Sequence, residues 1–375
     1  MKIAFFHELS FGGARRVCDE YGKILAKNHT VDLYYVDEQE DKSAQKIFTN
    51  SFFFQFIPKE QKKGQWQKRL YKDTLELFHL AKLHKKIAEK IDAGNYDFVF
   101  VHPSKFTQAP FLLRFVKTPK IYFCQEPLRI VYDDFLRRLP KVSLPKRIYE
   151  RGIRRLRKSI DAQNIAHANV LLANSKFSKQ QIKIAYQKFA RVCYLGVDIT
   201  LFRPLPLRKQ YDILFLGQAL PIEGYDLLEN AVRFFKKRPK IKIIERGNDG
   251  ISITDEELVA AYNKAKVVVC LSRNEPFGLT IIEAMSCGVP VIAVKEGGFL
   301  ESVVNGKTGL LVNRNPKKLY LILEKLLNDA KLRDMMGKNG REDVLKNWTW
   351  EKSVARFLKI VASHTLYYSN EAKRS

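Results

Sequence analysis

Two glutamates, Glu275 and Glu283, enclose seven residues whose punctuation gives them something to act on. Between them, Pro276 and Gly278 turn the chain. Leu279–Ser286 then reads as a helix that Gly288 and Pro290 end. The apolar runs on either side, Val267–Leu271 and Val289–Val294, read as buried parallel strands. A turn opening into a helix presents backbone N–H groups, and the helix dipole favours an anion there. A carboxylate beside that anion would repel it. Glu275 in the turn and Glu283 farther along the helix therefore suit neutral hydroxyls, to which they offer acceptors. A ligand with phosphate between two sugar rings uses both features, and that is the form of a nucleotide sugar.

The same strand–turn–helix grammar runs along the chain. Lys2–Phe6 reads as a first strand, Leu9–Arg16 as a glycine turn and Val17–Lys27 as its helix, the opening of a doubly wound sheet. Gly12 and Gly13 either let backbone approach a ligand closely or simply make the turn tight, since the full G-x-G-x-x-G is absent. Val31–Val36, Tyr96–Val101, Lys120–Cys124, Ala168–Ala173 and Val192–Leu195 read as further strands. His102 follows one strand end and Gln125 and Glu126 another, where open α/β sheets place ligands. After the linker Pro204–Gln210 a second series begins with Tyr211–Leu216 and continues through Ile241–Ile244 and Leu310–Val312. Thr254 with Glu257 forms a helix-start signature, and Trp350 starts the last helix.

A chain of 375 residues suits two domains, and its 46% apolar content is ordinary for a globular protein. No apolar run is long enough to span a bilayer, and Lys2–Phe6 passing directly into His7 and Glu8 predicts no signal peptide. The five scattered cysteines predict reduced thiols and a cytoplasmic protein. With no Asp-x-Asp at a strand end and no His/Cys cluster at metal spacing, no metal and no cofactor are expected. Net charge is +26, with 37 Lys/Arg against 20 Asp/Glu in residues 1–200 alone. Such a field draws polyanions, nucleic acid or an anionic membrane face. Lys59–Ile91 is helical in pattern with ten Lys/Arg against four acids, and reads equally as an interfacial surface or a solvated basic face. Phe135–Ile160 carries ten Lys/Arg and one acid, interleaved with Phe135, Leu136, Leu139, Val142 and Leu144, and is the strongest membrane-surface candidate.

Taken in order, these motifs resemble those of the large retaining glycosyltransferase family with the GT-B fold, family 4. The resemblance runs from the first turn through the E-x7-E stretch to Trp350, and includes Gly196-Val197-Asp198 and Glu296-Gly297-Gly298. It implies an α/β GT-B fold, two doubly wound Rossmann-like domains facing across a cleft. Residues 1–203 would form the acceptor-side domain, 204–350 the nucleotide-sugar domain, and 351–375 a helix returning to the first. It implies a metal-independent hexosyltransferase with a UDP- or GDP-linked donor. The acceptor would be a glycan or glycolipid at the inner face of the membrane, with no nucleic-acid partner. His102 and Glu275 would act at the donor sugar. Gly12, Gly13, Gln218, Arg246, Phe277, Gly278, Leu279 and Glu283 would bind the donor, and Gln125 and Glu126 the acceptor. Relatives often have His at Gln125, an exchange that removes acid–base chemistry. They usually also have Arg at Gln218 and Lys at Glu223, the cations that grip the diphosphate. That departure keeps open a second reading, a homologue with impaired donor binding that serves as a scaffold or partner subunit.

Overall fold

The computed structural model describes residues 1–9, 12–58, 66–137, 143–245 and 253–371. The chain divides into two compact units, 1–174 with 179–192, and 175–178 with 193–375. The first unit ends at Val192, and α-helical residues near the C-terminus are grouped with the second.

The first unit contains β1 (Lys2–Glu8), α1 (Gly13–Leu25), β2 (Thr30–Asp37), β3 (Asn50–Gln55), α2 (Trp66–Asp73) and α3 (Leu75–Ala93). It continues with β4 (Phe98–Ser104), α4 (Leu112–Phe115), β5 (Lys120–Phe123), α5 (Arg129–Tyr132), α6 (Asp134–Arg137), α7 (Leu144–Ala166), β6 (Val170–Ala173), most of α8 (Lys176–Tyr186) and β7 (Arg191–Val192). Its strands are all parallel in the order β3-β2-β1-β4-β5-β6-β7. Strand order reverses between β1 and β4, the point at which doubly wound sheets open a crevice.

The second unit contains β8 (Tyr211–Leu216), α9 (Tyr225–Val232), β9 (Ile241–Ile244), α10 (Asp255–Lys264), β10 (Ala265–Cys270), α11 (Leu279–Ser286) and β11 (Val291–Val294). It ends with α12 (Phe299–Ser302), β12 (Gly309–Val312), α13 (Pro316–Asn328), α14 (Ala330–Asn347) and α15 (Trp350–Glu371). Its parallel order is β12-β11-β10-β8-β9, with the reversal between β8 and β10. The central strands are buried on both faces, which is why they read as continuous apolar runs.

Local chemistry sets the helix ends. Thr254 accepts from the Glu257 N–H while the Glu257 carboxylate accepts from the Thr254 N–H, the reciprocal capping box its sequence predicts. Asn315 and Asp329 cap α13 and α14 through their side chains.

Three local expectations change. β3 is an edge strand with both faces partly exposed, so Asn-Ser-Phe-Phe-Phe-Gln carries no alternation to read. Within Lys59–Ile91, residues 59–65 lie outside the described residues, and the rest is two helices. They break at Thr74, whose backbone (φ −133°, ψ −78°) leaves the helical range while its hydroxyl donates to the Leu70 carbonyl. α1 begins at Gly13, before Val17, because Gly12 at φ 110° turns the chain directly into it.

Candidate active site

The E-x7-E stretch lies beside the strand-order reversal of the second unit. α11 starts at Leu279 behind Gly278, whose φ of +87° favours glycine. A Cβ on Gly278 would also lie 2.5 Å from the Phe299 ring, so the position is closed on two counts. As at any helix start, the leading N–H groups have no intrahelical acceptors. Phe277 is buried, packing against Tyr194 and Trp348 with ring centroids 6.4 and 5.7 Å away. Its side chain anchors the turn, and its backbone is what a ligand could use.

The turn is tied down around that anchor. The Ser175 hydroxyl donates to the Pro276 carbonyl at 2.6 Å, and the Gly298 N–H to the Glu275 carbonyl at 2.8 Å. Arg314 grips both carboxylate oxygens of Glu296 at 2.9 and 2.8 Å and also donates to the Leu271 carbonyl at 3.0 Å. It thereby joins the loops after β10 and β11, a positioning role that sequence reading passed over because Arg314 stands alone in a polar loop. Glu301 accepts the N–H groups of Lys176 and Phe177 and the Tyr194 hydroxyl. It caps the start of α8, a negative charge where the helix dipole favours one.

Glu283 is only 1% exposed, and one of its oxygens accepts the Tyr262 hydroxyl at 2.7 Å. Glu275 is half-buried. Burial first, then the charges of Glu275 and Glu283, push the Cys270 thiol well up, so it stays protonated. Burial and Glu283 likewise push Cys287 up to about 12. Neither thiol is a nucleophile at neutral pH.

Glu223 remains at this place. The Ser272 hydroxyl donates to its carboxylate at 2.8 Å, and Gly217 lies against its side chain. The Arg273 N–H donates to the Ile222 carbonyl at 2.9 Å, fastening the loop after β10 to the loop after β8. Gly224, at φ +78°, lets that loop press on the Leu271 carbonyl, where a Cβ would come within 2.2 Å. Gln218 is half-buried beside it. Arg246 lies outside the described residues.

In the first unit, Glu8 ends β1, Gly12 follows it and Gln125 follows β5, whereas His102 lies inside β4, which runs on to Ser104, and not past its end as expected. Gly12 caps α1 and Gly13 is its first residue. Arg15 is buried and holds Asp19, Asp41 and the Leu9 carbonyl, which fixes the loop leading into the helix. His102 is fully buried among Phe5, Phe100 and Phe123, and neither ring nitrogen has a hydrogen-bond partner. Burial first, then the Arg15 charge, lowers its pKa to about 3, so at neutral pH it is an uncharged imidazole. Gln125 is half-buried with its Nε2 lacking a partner, and Glu126 lies 3.7 Å from Arg129. A pair not foreseen, His84 with Glu8, is wholly buried at 3.0 Å. The Leu112 N–H donates to His84 Nδ1 at 3.1 Å, so the imidazole is neutral and donates Nε2–H to Glu8.

His102 sets a pH dependence. Its folded-state pKa lies below the unfolded value of about 6.5, so the unfolded chain binds a proton first as pH falls. Its contribution is present above about 6.5 and declines toward about 3, by about 1.4 kcal/mol per pH unit. His102→Phe, filling the same aromatic cage, should flatten this part of the melting-temperature profile. An unchanged acid slope in the variant would show that the burial of His102 does not set it.

The comparisons with known proteins agree with this architecture. Residues 251–343 match the family described as Glycosyl transferases group 1. An uncharacterized glycosyltransferase of Methanocaldococcus jannaschii, MJ1178, is 29% identical over 213 residues, 52% of this chain and 59% of that protein. The GDP-mannose-dependent alpha-(1-6)-phosphatidylinositol monomannoside mannosyltransferase of Mycolicibacterium smegmatis is 26% identical over 52% of this chain and 62% of its own. Among solved structures, Anabaena Alr3699/HepE in complex with UDP and glucose superposes with a TM-score of 0.68 at 18% identity, covering 97% of this chain and 100% of its own. By motif residues 251–343 resemble the group 1 glycosyltransferases, and by fold the chain is an α/β protein of the GT-B type. It spans about three fifths of the length of these two curated relatives.

Proposed function

We propose that this protein is a retaining, metal-independent hexosyltransferase that moves a sugar from a UDP- or GDP-linked donor to a lipid-linked or glycan acceptor at an anionic membrane surface. The observation that carries the reading is the anchored turn before α11 at the strand-order reversal, with Glu275 in the turn and Glu283 buried farther along the helix. The N–H groups of Phe277, Gly278 and Leu279 would hold the distal phosphate, Glu283 the ribose hydroxyls and Glu275 the donor sugar. As the leaving diphosphate gains charge, the helix N-terminus stabilises it, a contribution that grows toward the transition state. The acceptor would attack from the leaving-group side, which retains configuration and needs no protein nucleophile. His102, a neutral imidazole within β4, would contact the sugar, and Gln125 and Glu126, just past β5, the acceptor. A UDP complex of the similarly folded HepE and the GDP-mannose dependence of the mycobacterial relative support a nucleotide-sugar donor. Release of nucleoside diphosphate from UDP- and GDP-sugars tests the reading.

The membrane part rests on α7. Leu144 and Ile148 are each 61% exposed, and its first half buries no residue. Phe135, Leu75 and Phe78 are exposed apolar residues of the same unit. Exposed Lys146, Arg147, Arg151, Arg155 and Lys158 stand among the apolar residues of α7. Arg154 and Arg157 are occupied within the protein, on the Ile130 and Leu136 carbonyls and on Asp73. No described helix is long and apolar enough to cross a membrane. Co-sedimentation with vesicles should rise with anionic lipid and fall with salt. Replacing Lys146, Arg147, Arg151 and Arg155 by Gln should abolish the preference for anionic vesicles, at about 1 kcal/mol per cation. Equal partitioning of the wild type onto neutral and anionic vesicles would sink the membrane assignment.

The scaffold reading stays in view because of Glu223, a carboxylate held by Ser272 where a diphosphate needs cations.

A further inference from the structure

We propose that Tyr262 is a positioning residue that orients the Glu283 carboxylate and so sets how strongly the protein prefers a ribonucleotide to its 2′-deoxy counterpart. This rests on the assignment of Glu283 to the ribose hydroxyls.

Tyr262 lies on α10, one element before the E-x7-E stretch, and no motif draws attention to it. It is fully buried, its ring meeting Phe202 edge-on at 6.1 Å. Its base is held firmly. The next residue, Asn263, accepts the Leu205 N–H at 2.8 Å and donates to the Arg203 and Val259 carbonyls. Arg341 donates to the Phe202 carbonyl, the Ser286 carbonyl and the Ser286 hydroxyl, which ties the segment beneath Tyr262 to the end of α11. The phenol and the carboxylate thus stand on elements fixed to one another.

The bond between them does specific work. A glutamate carboxylate rotates broadly about its last torsion. A hydroxyl donating to one oxygen at 2.7 Å, in a site from which water is excluded, fixes the carboxylate plane and the directions of its lone pairs. Donor hydroxyls must meet those directions. Removing the phenol oxygen therefore costs orientation at Glu283 and leaves the ring packing unchanged.

The test is calorimetric titration of the full chain, wild type and Tyr262→Phe, with UDP, GDP and their 2′-deoxy counterparts. The wild type should bind its ribonucleotide about tenfold more tightly than the deoxy form, the scale of one charged hydrogen bond. In Tyr262→Phe that ratio should fall toward unity, through weaker ribonucleotide binding at nearly constant deoxynucleotide binding. Glu283→Gln provides the reference for a lost ribose contact. A variant that weakens both nucleotides equally, or keeps the wild-type ratio, overturns the proposal and leaves the Glu283 assignment standing. A wild type that binds nucleotide without any ribose preference overturns both, and that failure is visible before any substitution is made.

Discussion

Glu275→Gln and Glu283→Gln should each lower kcat/KM for transfer by about tenfold or more, the scale of a charged hydrogen bond worth roughly 1.5–3 kcal/mol. The two should differ in how the loss appears. A ribose contact is made in the ground state as well as in the transition state, so Glu283→Gln should act mainly through donor KM. Glu275, assigned to the sugar that is transferred, should act mainly through kcat. Neither substitution changes side-chain volume much, and Gln keeps an acceptor for the Tyr262 hydroxyl, so the fold should survive. Wild-type turnover in either variant, with an unchanged melting temperature, would falsify the role given to that residue.

Gln218→Arg combined with Glu223→Lys should tighten binding of UDP or GDP by roughly 1–3 kcal/mol. The structure sharpens this expectation. Glu223 is not turned away from the strand-order reversal. The Ser272 hydroxyl holds it at 2.8 Å, between the loops after β8 and β10. Two like charges a few ångströms apart cost about 4 kcal/mol at intermediate dielectric, so a diphosphate brought there meets a penalty that the wild type must offset elsewhere. Arg314 is committed to Glu296 and the Leu271 carbonyl, which removes one evident source of compensation. Calorimetry on both proteins decides the matter. Tight binding by the wild type with no gain in the double variant would show that other groups already neutralise the phosphates, and the scaffold reading would lose its support.

The parts of the fold that were legible in the sequence are those in which burial writes a simple pattern. Val267–Leu271 and Val289–Val294 are buried almost throughout, and the helix Leu279–Ser286 is bounded by Gly278 and Gly288, so the helix could be placed to the residue and the two strands to within two residues. β3 was not legible, because an edge strand with half-exposed faces has no periodicity. The contacts that hold the site together were not legible either. Tyr262 with Glu283, Arg314 with Glu296, and Glu301 at the start of α8 join residues 18 to 125 positions apart, and local spacing carries no trace of such pairings. His102 was expected past a strand end, but β4 continues to Ser104, and its aromatic enclosure was not legible, since Phe5, Phe100 and Phe123 come from three strands.

The proposed function requires that this protein turn over a nucleotide sugar. The most direct measurement incubates the purified chain with a panel of UDP- and GDP-sugars and anionic vesicles carrying lipid-linked acceptors. It follows nucleoside diphosphate release and the anomeric configuration of any product. Release should come from one class of donor, the product should keep the donor's own anomeric configuration, and both should be lost in Glu275→Gln. Binding and turnover of no nucleotide sugar, by a protein that is folded and still reaches the vesicles, would contradict the proposed function.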